Sequence, residues 1–192
     1  MKAAIAENGK MVWKDVPEPV IGDTDVLVKV HATALNRADL LQKQGTYPSP
    51  AGWPAWPGLE LSGTVEDMGK TARQKSGFRI GDNICALVGG GGYAEKAAVP
   101  YPLLMPIPKN ITMEEAASLP EVYATSYLNL FYEGKLAPGQ TLYVAAGASG
   151  LASAAIPLGK AAGAYVVTSV QTCAQADRIR PLGADYVICL LY

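Results

Sequence analysis

Residues 142–167, LYVAAGASGLASAAIPLGKAAGAYVV, constrain the fold more than any other part of the chain. A short apolar strand over 141–145, expected to be buried, runs into a turn of small residues. A small-residue helix follows and ends at Gly163, and AYVVTSV makes the next strand. CAQADRIRPLG then predicts a second helix, strained in its last turn by Pro181, and DYVICLLY a third strand. The succession β-α-β-α-β with short connections is that of one half of a doubly wound parallel sheet.

The turn itself admits two readings. Gly147, Ala148, Ser149, Gly150 and Leu151, followed by Ala152, leave room for a pyrophosphate to meet backbone N–H groups at a helix N-terminus. Small residues at a strand–helix junction also serve close packing alone. The spacing is G-x-x-G-x-A rather than G-x-G-x-x-G, so the general dinucleotide fingerprint does not choose between them.

The chain before residue 110 has a different rhythm. KAAIA and MVWKD predict a hairpin turning at Glu7-Asn8-Gly9, and DVLVKVHATAL a longer strand. NRADLLQKQG predicts a short helix with Leu40 and Leu41 on one side, stopped by Gly45. YPSPAGWPAWPG has four prolines in a dozen residues, which excludes regular structure there. LELSGTVEDMG, NICALV, YAEKAAV and LLMPIP add four strands punctuated by glycine and proline. That pattern predicts a partly open β-barrel. Thr112 with Glu115 forms a capping box, and Pro120 separates it from a helical pattern that runs on to Gly134. The division expected is a β-rich domain over 1–120 and a partial α/β domain over 121–192.

Composition removes several function classes. A formal charge of −1 gives no electrostatic reason to expect nucleic acid or an acidic membrane as partner. No apolar run has signal-peptide or membrane-spanning length, so the expected compartment is the cytosol. Cys85, Cys173 and Cys189 have neither disulfide-framework nor zinc-ribbon spacing, and are expected reduced and mostly buried.

Five motifs occur in a telling order: ALNRADLLQKQGTYPSPAG, GLELSGTV, GGGGYAEKAAVP, LMPIP and AAGASGLASAAIPLGKAAGA. Together they resemble the zinc-independent quinone oxidoreductases of the medium-chain dehydrogenase/reductase superfamily, nearest the tumour-suppressor-inducible subgroup. The resemblance implies a GroES-like catalytic domain followed by the first β-α-β-α-β half of a Rossmann domain, with NADPH as cofactor. It implies reduction of a quinone or similar conjugated carbonyl, with enoyl reduction or cofactor binding without catalysis as rivals. Asn36 and Leu59 stand where zinc-dependent relatives have ligands, so no metal is expected. The one histidine, His31, is expected to be a packed or surface residue.

The same resemblance suggests catalytic roles for Asn36 and Tyr47. Asn36 is equally read as a helix N-cap, and Tyr47 as loop packing. Trp53 and Trp56 either stack on a flat ring or cover the barrel, and Glu60 is expected to be structural. On the cofactor side the candidates are Thr125, Gly147 through Leu151, Ser169 and Tyr192. The second strand ends in Thr168-Ser169-Val170, without an acidic residue for a ribose 2′-hydroxyl, which disfavours NAD. The family's 2′-phosphate lysine is missing as well, leaving Ser169, Gln171, Thr172 or Arg178. The family chain is longer, so the sequence is expected to be truncated, with weak cofactor binding and slow turnover. Its apolar third strand, in turn, predicts a homodimer or larger species.

Overall fold

A computed structural model describes residues 1–191. The chain divides into two compact units, residues 1–121 and the residues from 122 on. In the first, β1 (Lys2–Glu7) and β2 (Lys10–Asp15) form the hairpin. Its turn residues Asn8 and Gly9 have φ of 48° and 71°, the paired positive values that match the twist of the strands.

The main sheet of this unit contains β3 (Asp25–Thr33), β4 (Glu60–Met68), β5 (Asn83–Leu87), β6 (Lys96–Pro100) and β7 (Leu104–Pro106). Their order is β6-β3-β4-β5-β7, antiparallel throughout. Val26, Val28, Leu61, Val65, Ile84, Ala86 and Val99 form the core on its inner face. Register shifts at Leu27/Val28 and Val30/Ala32 bend β3, but β6 and β7 remain edges, so the sheet is open and not a closed barrel.

Between the strands lie α1 (Arg37–Lys43) and α2 (Lys70–Lys75). The second of these helices was not expected from KTARQK, which has no apolar stripe. In α1 the expected leucine face is corrected: Leu40 is 57% exposed, whereas Asp39 and Gln42 are buried. Polar partners, described below, decide that orientation. The capping box opens α3 (Met113–Ala116), with reciprocal bonds between Thr112 and Glu115. Pro120 starts α4 (Pro120–Tyr127), which continues as a π-helical turn over Leu128–Glu133. Placing proline first costs the helix no hydrogen bond.

The second unit carries a parallel sheet of β8 (Thr141–Val144), β9 (Tyr165–Val170) and β10 (Tyr186–Cys189), ordered β10-β9-β8. The crossovers are α5 (Gly150–Ala161) and α6 (Cys173–Ile179), the latter followed by a 3-10 turn through Pro181. Ile156, Val166, Val170, Ala176 and Ile179 are the buried centre between helices and sheet. The expectation of a buried β8 is corrected: only its alternate residues Leu142 and Val144 pack inward, and Tyr143 is exposed. Tyr165, Tyr186 and Ile188 are exposed on the same face as Tyr143, away from α5 and α6. A short apolar strand is buried on both faces only where both are covered. The cysteine expectation is corrected too, since Cys85 alone is buried and Cys173 is exposed.

Candidate functional site

Strand pairing explains the first cluster. Thr33 pairs with Leu61, so the chain leaving β3 passes the entry of β4. Asn36 then meets Glu60, and its amide nitrogen donates to Oε1 at 2.8 Å. The other carboxylate oxygen accepts from the backbone N–H of Glu121 at 2.9 Å. Glu60 is only 1% exposed. Burial pushes its carboxyl above the ordinary value of 4.5, against these two hydrogen bonds that favour the charged form.

Asn36 also occupies the N-cap of α1, in extended backbone. Asp39 accepts from its backbone N–H at 2.7 Å and from the Tyr93 hydroxyl at 2.6 Å, both at Oδ2, and from the Gly58 N–H at Oδ1. Burial, and then the neighbouring Asp39, push the Tyr93 phenol far up, so it is a fixed donor. Gly58 makes this crossing possible: with φ of +107°, a Cβ there would lie 2.3 Å from the Tyr93 nitrogen. A pocket of about 340 Å³ borders the cluster, lined by Leu35, Asn36, Asp39, Leu40 and Tyr93 among others.

The aromatic loop residues lie elsewhere. Trp53 packs on the sheet core, and Trp56 donates to the Gly91 carbonyl; both line a different pocket, of about 460 Å³. Tyr47 is exposed, and no hydrogen bond among the described residues joins it to the Asn36 cluster. His31 is a surface residue whose Nε2 lies 2.8 Å from Glu114 Oε1. No group of three histidine, cysteine or acidic side chains fit to hold a metal occurs among the described residues.

The second cluster is the turn from β8 to α5. Ala146 adopts φ of 52°, a conformation an alanine rarely takes, and its carbonyl accepts from the Ser149 N–H. Gly147 donates to the Ser169 carbonyl at 2.7 Å, and a Cβ on it would strike Thr168 Oγ1 at 2.3 Å. Packing alone therefore requires glycine at 147. Gly150 is different, because its nearest neighbour to an added Cβ is Val122 Cγ1 at 3.9 Å. Ser149 caps the helix by accepting from the Ala152 N–H. The N–H groups of Gly150 and Leu151 open the helix and have no acceptor within it. Both residues and Ala148 are exposed.

Ala146, Ala148, Ser149, Val170, Gln171 and Gln175 line a pocket of about 260 Å³ beside this helix end. Gln175 fixes the facing turn by accepting from the N–H groups of Gln171 and Thr172. Ser169 is buried, with its hydroxyl paired to the Tyr143 hydroxyl at 2.8 Å. Thr125 is on α4, next to Ser126, whose hydroxyl donates to the Leu151 carbonyl. Tyr192, the remaining candidate, lies outside the described residues.

Sequence reasoning passed over Asp39, Tyr93 and Gln175. Two of them had a local signal, in N-x-x-D over residues 36–39 and T-x-x-Q over 172–175.

Residues 22–109 match the alcohol dehydrogenase GroES-like domain. The quinone oxidoreductase from Thermus thermophilus, whose structure is known with NADPH, superimposes with a TM-score of 0.83 at 32% identity. The match covers 98% of this chain and 60% of that one. These matches support a place for the chain in the quinone oxidoreductase-type branch of the medium-chain dehydrogenase/reductase superfamily. Within the superfamily it is 39% identical over 136 residues to a quinone oxidoreductase-like protein 2 homolog of Nematostella vectensis. That match covers 69% of this chain and 36% of the relative. It is also 30% identical over 217 residues to an acryloyl-coenzyme A reductase of Sulfurisphaera tokodaii, covering 98% of this chain and 64% of the other. The chain thus spans between about a third and two thirds of the length of these relatives, which share its fold. No helix of the described residues is long and apolar enough to cross a membrane.

Proposed function

We propose that the chain is a zinc-independent, NADPH-dependent quinone oxidoreductase of the cytosol, reducing a quinone or similar conjugated carbonyl. The observation that carries this reading is the contrast between the two turn glycines. Gly147 is demanded by packing, while Gly150 is exposed at a helix N-terminus where the fold has space for a side chain. A cradle that a Cβ would fill fits a diphosphate approaching the backbone. The pocket beside it has no carboxylate in its lining, which suits a 2′-phosphate better than a free ribose diol. Gln171 and Gln175 line it and supply neutral amide donors.

Bound NADPH supplies the hydride. The residues of this chain hold and orient. The Gly150 and Leu151 N–H groups would hold the diphosphate, and Ser149 fixes the helix end by accepting from the Ala152 N–H. The Asn36 amide, held by Glu60, faces the pocket in which a carbonyl acceptor would sit. The Asp39–Tyr93 pair fixes the start of α1, and with it Asn36. Leu59 and Asn36 offer neither thiolate nor imidazole, which supports reduction without zinc. The acryloyl-coenzyme A reductase relative favours enoyl thioesters as a second substrate class.

Binding of NADPH, measured by its fluorescence, tests the cofactor reading apart from catalysis. Gly150→Val should weaken it at least about tenfold, equivalent to about 1.4 kcal/mol. Unchanged affinity in a folded Gly150→Val variant would refute the cradle. NADPH oxidation with a panel of quinones and enoyl thioesters, set beside that binding, separates the reductases from a chain that binds without turnover. Activity lost to a zinc chelator and restored by zinc would overturn the metal-free reading.

A further inference from the structure

We infer that Cys173 and Cys189 are a reversible dithiol–disulfide pair, open to exchange with small disulfides such as glutathione disulfide. Cys189 ends β10, and Cys173 is the first residue of α6, so the crossover returns one to the other 16 residues apart in sequence. Their sulfurs stand 2.9 Å apart, closer than unbonded sulfurs rest in ordinary van der Waals contact. A disulfide needs about 2.05 Å, so closure asks for a movement of only about 1 Å. Cys85, in contrast, is buried in the other unit and takes no part.

The two thiols are not equivalent. Cys189 Sγ donates to the Leu191 carbonyl at 3.0 Å and shares with Cys173 a hydrogen bond in which either sulfur can be the donor. The hydrogen bond with Cys173 also holds the Cys189 thiol above its ordinary pKa. Cys173 is the exposed member and therefore the entry point. Its thiolate attacks one sulfur of the incoming disulfide, forming a mixed disulfide and releasing one thiolate. Cys189 then loses its proton to solvent and attacks Cys173 Sγ, expelling the second thiolate. Two protein thiols are oxidised by two electrons, and one small disulfide becomes two thiols once solvent protonates them. The bond ties the start of α6, next to the turn at Gln171 and Thr172, to the end of β10.

The purified chain, fully reduced, is incubated with glutathione disulfide, acid-quenched, unfolded and alkylated. The expected product has lost two of its three thiols without gaining glutathione, and dithiothreitol restores both. Peptide mapping should join a Cys173 peptide to a Cys189 peptide within one chain, and Cys85→Ser should close equally well. Cys189→Ser should instead retain a glutathione on Cys173. Three intact thiols, a lasting glutathione adduct on the unsubstituted chain, or a bond between two chains would each overturn the pair. None of these readouts depends on NADPH.

Discussion

At the scale of single residues, Glu60 is where fold and chemistry meet. Its carboxyl is raised by burial, so above 4.5 the native state holds a proton that the unfolded chain has lost. Stability from this group is complete below 4.5 and declines as pH rises through the raised native value. Urea unfolding at a series of pH values should show that decline, and Glu60→Gln should flatten it, whatever its effect on absolute stability. An identical slope in the variant would mean that Glu60 is not its source. The glycines make a second contrast: Gly147→Ala should impair folding itself, visible as a lowered midpoint, because its Cβ meets β9. A Gly147→Ala variant of unaltered stability would remove the reason for separating the two positions. Asn36 shows why such roles are hard to read from sequence. N-x-x-D announces a cap, but nothing local announces that the amide turns toward a glutamate 24 residues away.

At the scale of elements, α5 bears an internal proline. Pro157 has no N–H to offer the Ser153 carbonyl, and its ring crowds the preceding turn. Pro157→Ala should therefore stabilise the second unit, by up to about 3 kcal/mol. A lower unfolding midpoint would show that the proline ring is worth more as packing than the missing bond. Elements with local chemistry were legible in the sequence. The Asn8-Gly9 turn and the Thr112 capping box each depend on neighbours within a few residues. What was not legible depends on distant partners. The α1 face is set by an Asp39 carboxylate that meets Tyr93, 54 residues on, and outcompetes the leucine pattern. Likewise, the burial of β8 depends on what lies over each face, which the apolar content of four residues does not encode.

At the scale of the whole molecule, two compact units imply two unfolding events. The first unit has a five-stranded sheet with a contiguous core; the second covers one face of three strands. The second should open first. All three tryptophans, Trp13, Trp53 and Trp56, lie in the first unit. Under rising urea, helix signal by circular dichroism should fall before tryptophan emission changes. Coincident transitions would instead show that the units unfold as one. This distribution of indoles has an optical consequence. Tryptophan emission overlaps the absorption of reduced nicotinamide, so under the proposed function a bound NADPH would be an acceptor for donors that all sit outside the unit carrying the proposed cradle. Energy transfer then acts as an internal ruler between the units. Single Trp→Phe replacements would give it three separate marks without any added dye.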